Sequence, residues 1–198
     1  MYSAPFDAAT SRILLSHRPL AYQWALHIID GLAFVHAHDV IFGDLDLSQC
    51  WLSSDSHLSL SLAGFVNASF SYAARWGHMI SADRTNMNNF HPLEHHRNPT
   101  KQTDIFLFGC VLFELMTGFW PGTRSGLGSW REVAALISRK AWPPLEEACM
   151  GNIVHQCWNN EFVSAEQVKA ALMLFLRDLE WEVDKNSNLQ YLDAAALF

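Results

Sequence analysis

Apolar residues early in the chain fall on one helical stripe, with Ala25, Ile28, Ile29, Leu32 and Val35 at offsets 0, 3, 4, 7 and 10. That spacing predicts a helix after Pro19 that turns one face to a core. A shorter helical piece is expected over about 10–16, with Arg18-Pro19 breaking the two apart. His36 and His38 close the long helix, where an imidazole meets the negative end of the helix dipole. Val40-Ile41-Phe42 then reads as extended, and Gly43 to Gln49 as a polar irregular loop. Cys50-Trp51-Leu52 and the alternating Leu58-Ser59-Leu60-Ser61-Leu62 flank Ser53-Ser54-Asp55-Ser56. The pattern predicts a β-hairpin with a turn of small polar residues, the only strong strand signal in the chain.

Residues 64–102 are polar, rich in His and Asn and without periodicity, which over that length predicts a functional or mobile loop. Asp104 is a candidate N-cap or first-turn residue for a helix that stays apolar almost all round through Met116. A helix of that kind belongs in the middle of a core. Gly118, Pro121 and Gly122 are expected to end it. Amphipathic segments follow over 130–137, 145–158 and 165 to about 182, the last opened by Ser164 with Gln167 at a capping-box spacing. Trp120, Trp130, Trp142 and Trp158 are assigned to the core of these late helices.

Composition narrows the class. The chain of 198 residues has room for one domain, and with 50% hydrophobic and 17% charged residues it is not disordered. Its formal net charge of −7 repels phosphate backbones and anionic lipid, so neither nucleic acid nor membrane is an expected partner. Cys50, Cys110, Cys149 and Cys157 form no C-x-x-C pair and sit in apolar surroundings, which points to reduced thiols and a cytoplasmic location, the nucleus remaining open. Residues 1–9 carry no secretory signal, and the apolar run 105–112 is too short to span a bilayer.

The order of helix, short strand, polar loop, hairpin, long loop, buried helix and smaller helices resembles the large lobe of eukaryotic protein kinases. Val40-Ile41-Phe42-Gly43-Asp44-Leu45-Asp46-Leu47-Ser48-Gln49 lies where that family carries H-R-D-L-x-x-x-N, and Leu62-Ala63-Gly64-Phe65-Val66 where it carries D-F-G. Phe90-His91-Pro92-Leu93-Glu94 is similar to the A-P-E segment, and Thr103-Asp104-Ile105-Phe106-Leu107-Phe108-Gly109 to the start of the buried central helix. The resemblance covers roughly residues 10–180. It implies a mainly α (α+β) fold: a protein-kinase-like large lobe over 1–183 with one small β-hairpin, no small lobe, 1–9 as a remnant of the interlobe segment, and a C-terminal tail over 184–198.

The resemblance also implies a damaged active site. Asp44 stands where the family places its catalytic base, and here it is expected to be vestigial. Gln49 replaces an Asn that ligates magnesium, Gly64 replaces the Asp that holds the principal magnesium, and Asp46 replaces a phosphate-site Lys. Gly43 removes an Arg that answers a phosphorylated loop, leaving Ser81 or Thr85 without an anchor there. Losing one preorganised electrostatic partner typically costs ~10²–10³ in rate. Asp104 corresponds to the residue that hydrogen-bonds the catalytic-loop backbone, and Glu94 to one that pairs with a late Arg for which this sequence has no clear match.

Other readings stand beside these. Asp44 fits a loop carboxylate that caps local N–H groups, and Asp104 a simple helix cap. His91, His95 and His96 flank Glu94, but Pro92 interrupts the continuous helix that a zinc site of H-E-x-x-H type needs. The sequence is therefore read as a pseudokinase that needs no cofactor and binds a protein partner, such as another kinase or a missing small lobe, through the end formed by 40–62 and 1–9. One rival is a piece of a serine/threonine kinase that uses Mg-ATP once completed by a small lobe. A weaker rival is a His-based metal hydrolase.

Overall fold

The computed structural model describes residues 5–7, 9–65, 68–70, 99–121, 139, 141 and 143–197. Residues 81, 85, 91, 94–96, 130 and 142, and with them the histidine cluster, Glu94 and the segment 130–137, lie outside the described residues.

The chain opens with a two-stranded antiparallel pair, β1 (Phe6–Asp7) and β2 (Arg12–Ile13). A 3₁₀ turn over Leu15–His17 leads into α1 (Arg18–Ala37). The helix expected over 10–16 is therefore replaced by a strand and a turn, and Pro19 lies in the first turn of α1 rather than in front of it. The reason is local: a proline has no N–H to leave unsatisfied at a helix start, so it initiates there more readily than it breaks.

After α1 come β3 (Val40–Ile41), a 3₁₀ turn over Leu47–Gln49, and the hairpin β4 (Cys50–Leu52) and β5 (Leu60–Leu62). The second hairpin strand begins two residues later than the alternation suggests, because Leu58 adopts φ 50° within the turn. There the Asp55 carboxylate accepts the N–H groups of His57 and Ser59. β6 (Ser69–Phe70) pairs with β3 inside the stretch read as loop, a strand too short for any alternation to announce.

Helix α2 (Lys101–Thr117) is the centre of the lobe, and from Thr103 onward its residues are buried save a half-buried Glu114. Its N-cap is Thr100, which leaves Asp104 in the other of its two expected places, the first turn. The Thr100 hydroxyl accepts the N–H groups of Gln102 and Thr103, and the Thr103 hydroxyl accepts the Thr100 N–H, closing a capping box. Asp104 is thereby set inside the helix, and Gly118 ends it in the left-handed conformation at φ 79°. α2 packs along α3 (Gly151–Trp158), and α1 along α4 (Ala165–Asp178). The first crossing depends on Gly109: a Cβ there would stand 2.8 Å from Cys157 Cβ and 3.1 Å from the Trp158 ring. Trp158 is buried in the core, and Trp120 is half-buried against it.

The four cysteines are free thiols, three of them buried. Beyond α4 the chain is irregular but docked: Val183 bridges Leu189, and Leu189 and Ala194 are buried. No helix among the described residues is long and apolar enough to cross a membrane. The molecule is a helix-rich lobe with small two-stranded sheets.

Candidate functional site

The loop Phe42–Gln49 runs across the N-terminal end of α2. Because the capping box starts that helix at Lys101, Asp104 projects from its first turn under the loop with no exposed surface. Asp104 Oδ2 accepts the Phe42 N–H at 2.8 Å, and Oδ1 accepts the Gly43 N–H at 2.7 Å. A third donor reaches it from α1, His36 Nε2 at 2.8 Å, also buried. His36 is thus bound to a carboxylate from another helix, a stronger contact than the helix dipole anticipated from its place in the last turn. The signal was present: His36 lies four residues after Leu32 and seven after Ile29, on the buried face of α1. His38, on the exposed side, returns its Nδ1 hydrogen to the Phe34 carbonyl and lays its ring against that of Phe34, with centroids 4.4 Å apart.

Phe42 is buried, and its ring meets Phe65 edge-on at a centroid distance of 5.0 Å. This contact fastens the loop to the segment that follows β5. Asp44 lies half-buried two residues beyond Phe42. Asp46 turns inward as the N-cap of the 3₁₀ turn, and its Oδ1 accepts the Ser48 N–H at 2.7 Å, the Gln49 N–H at 3.1 Å and the Ser48 hydroxyl at 2.5 Å. A carboxylate so engaged serves the backbone of its own loop.

Gln49 and Gly64 are brought together. The Gln49 carbonyl accepts the Ala63 N–H at 2.7 Å, which aligns the two segments. Gly64 sits at φ +72°, a conformation that side chains rarely adopt, and a Cβ built on it would lie 1.7 Å from Gln49 Oε1 and 2.9 Å from Gln49 Cδ. The amide of Gln49 therefore fills the space in which any side chain at position 64 would begin.

One further residue belongs to this region and was not singled out from the sequence. Glu114, the lone carboxylate in the otherwise apolar run of α2, has its pKa raised, chiefly by burial and then by the negative charge of Asp46. Burial, with Asp46 again contributing, pushes the Cys50 thiol up to about 12, so it is no thiolate nucleophile. Among the described residues no group of three or more His, Cys, Asp or Glu side chains is arranged to hold a metal ion.

Similarity to known proteins agrees with this layout. A family model described as protein tyrosine and serine/threonine kinase matches residues 14–170. A probable serine/threonine-protein kinase of Dictyostelium discoideum is 23% identical over 159 residues, which are 79% of this chain and 17% of that protein. Two more from the same organism, irlC and irlD, are each 33% identical over 97 residues, 46% of this chain and 6% of theirs. The chain thus spans less than a fifth of the length of the curated relatives it matches. With a family match that runs from the residue before the first 3₁₀ turn into α4, the chain belongs to the protein tyrosine and serine/threonine kinase family.

Proposed function

We propose that this kinase-family lobe does not transfer phosphate and acts instead by binding another protein. The observation that carries the proposal is the position of the Gln49 amide, which occupies the room that a side chain at Gly64 would need. Magnesium demands near-octahedral oxygen ligands at about 2.0–2.1 Å. Gly64 offers no side-chain oxygen, and Gln49 and Gly64 together do not fit that ion. Asp46 adds negative charge where the family resemblance puts a lysine, and its half-buried neighbour Glu114 adds a second carboxylate rather than a compensating cation. Under this reading Asp44 is a loop residue without an electrophile, and no cofactor is required.

Binding is supported by the hairpin end of the lobe. Trp51 is 74% exposed and Leu52 52%, and Phe65 is exposed nearby in the chain. Large apolar side chains grouped at one end mark an interaction surface. A protein that brings an apolar face of its own, another kinase or a separately supplied small lobe, fits there. The free thiols agree with a reducing compartment, the cytoplasm or nucleus.

The test is a thermal-shift titration with Mg-ATP alongside a labelled-phosphate transfer assay. The expected result is no shift at millimolar nucleotide and no transfer that differs between the wild type and Asp44→Asn. A saturable shift with transfer abolished by Asp44→Asn would overturn the proposal in favour of an active kinase completed in trans.

A further inference from the structure

Away from the loop, a cleft of about 470 Å³ opens along the seam where α1, the β4–β5 hairpin and the segment after α4 meet. His27 of α1 stands in it and bridges the other two elements. Its Nδ1 accepts the Leu60 N–H at 3.1 Å, which leaves Nε2 to carry the hydrogen and donate to Asn188 Oδ1 at 3.2 Å. A backbone N–H can only donate, so this pair of bonds exists for one neutral tautomer alone. Protonation would put a second N–H against that of Leu60 and cost one side of the bridge.

The tail side of the bridge is ordered mostly by bonds within its own turn, among them Asp184 N–H to the Asn188 carbonyl, Ser187 N–H to that of Asp184 and Gln190 N–H to that of Glu182. Asp184 accepts the N–H groups of Asn186 and Asn188 and one from the Asn188 amide, and Leu189 N–H donates to Gln23 Oε1 of α1. Ser187 hydrogen-bonds Asp30, which also pairs with Lys169 of α4 at 2.5 Å. The same Gln23 donates to the His57 carbonyl of the hairpin, and Trp24 Nε1 donates to that of Leu58. Tail, helix and hairpin are thus one polar seam with His27 at the junction.

We propose that His27 is a proton-sensitive latch, and that acidification releases residues 183–192 from α1 and the hairpin while the rest of the lobe stays folded. The groups facing His27 are Asp30 of α1, Asp55 and His57 of the hairpin, and Asp184 of the tail. Burial holds the His27 pKa below the ordinary imidazole value, against the raising effects of Asn188, Asp30, Asp55 and Asp184. The sign follows: a docked state with a depressed histidine pKa binds fewer protons than the released state, so docking weakens as pH falls through about 6.5. The backbone N–H of Ser59 holds the Asp55 carboxyl below its usual range. For Asp184, burial is outweighed by donors from Asn188 and Asn186, with the same result. Neither titrates in that window. One group of ordinary pKa about 6.5 can shift the docking equilibrium by at most about tenfold between pH 7.5 and 5.5.

The experiment is hydrogen exchange of the 198-residue chain at pH 7.5 and 5.5, corrected for intrinsic chemistry, with peptides from 183–192 compared with α2. Protection of 183–192 is expected to fall several-fold, up to about tenfold, with α2 unchanged. His27→Gln offers an acceptor and a donor without titrating, and is expected to abolish the pH dependence, while His57→Gln retains it. If His27→Gln does not fold, the His27 pKa measured by NMR in the wild type decides, a value at or above the ordinary one overturning the proposal. It is also overturned if 183–192 keep their protection at pH 5.5, if α2 loses protection in parallel, or if His57→Gln removes the effect.

Discussion

Beneath the loop Phe42–Gln49 and at its far end, the same eight-residue stretch meets two different environments. At its start, three donors from two segments converge on the buried Asp104 carboxylate, and every member of the cluster is enclosed. At its far end, Asp46 caps its own turn, the Gln49 amide fills the space beside an exposed Gly64, and Glu114 adds a second carboxyl group whose pKa burial and Asp46 raise. The first region costs several kcal/mol to disturb because a buried donor left without an acceptor loses its solvation as well as its bond. The second is less enclosed and is held mainly by bonds within its own loop, so changes of residue type there are expected to cost less than at Asp104. On the proposed reading, a kinase-family backbone here outlasts the electrostatics that the family's chemistry needs.

The comparison is broken most directly at Asp104. Asp104→Ala leaves the Phe42 and Gly43 N–H groups and His36 Nε2 unmatched in the interior, and is expected to lower the unfolding free energy by about 3–5 kcal/mol, read as a fall in the urea midpoint at constant slope. Less than about 1 kcal/mol would mean that the loop is held from elsewhere.

At the other end, Gly64→Asp puts a Cβ against Gln49 Oε1 at positive φ and is expected to cost about 1–3 kcal/mol. Combining it with Gln49→Ala should recover at least half of the loss in a double-mutant cycle. Independent, additive effects would show that the amide is not what fills the site.

How legible these regions were in the sequence follows from the range of their interactions. The amphipathic stripe of α1, the apolar length of α2 and the hairpin turn are local patterns, and they placed the main elements within a few residues. The strand pairs β1–β2 and β3–β6 are two residues long, shorter than any period, and Thr103 completes its capping box with a hydroxyl where a Glu or Gln is the usual signature. At the site, the family resemblance could list Asp44, Asp46, Gln49 and Gly64 but not the contact of Gln49 with Gly64, which depends on how β4 and β5 align. His36 finds Asp104 across 68 positions, and no local pattern encodes a partner at that distance.

The smallest expected effect sharpens the picture of the second region. Glu114→Gln removes a half-buried carboxylate whose pKa is raised by burial and by Asp46, and should stabilise the lobe at pH 7 by less than about 1 kcal/mol. The penalty belongs to the ionised form, so it is present above the raised pKa and vanishes as pH falls below that of the unfolded chain. The advantage of the variant in thermal melts should therefore shrink toward pH 4, and an advantage that grows with acid would point to a favourable role for the charge.

The bond from Leu189 N–H to the Gln23 amide spans 166 positions. During synthesis the helix that carries Gln23 leaves the ribosome long before its partner exists. The Gln23 Nε2 can already donate to the His57 carbonyl once the hairpin has emerged, but until residue 189 is made its Oε1 must keep water as its companion, so this seam closes only late in synthesis. Any product that stops short of residue 189 would carry a first helix whose Gln23 Oε1 is left to water.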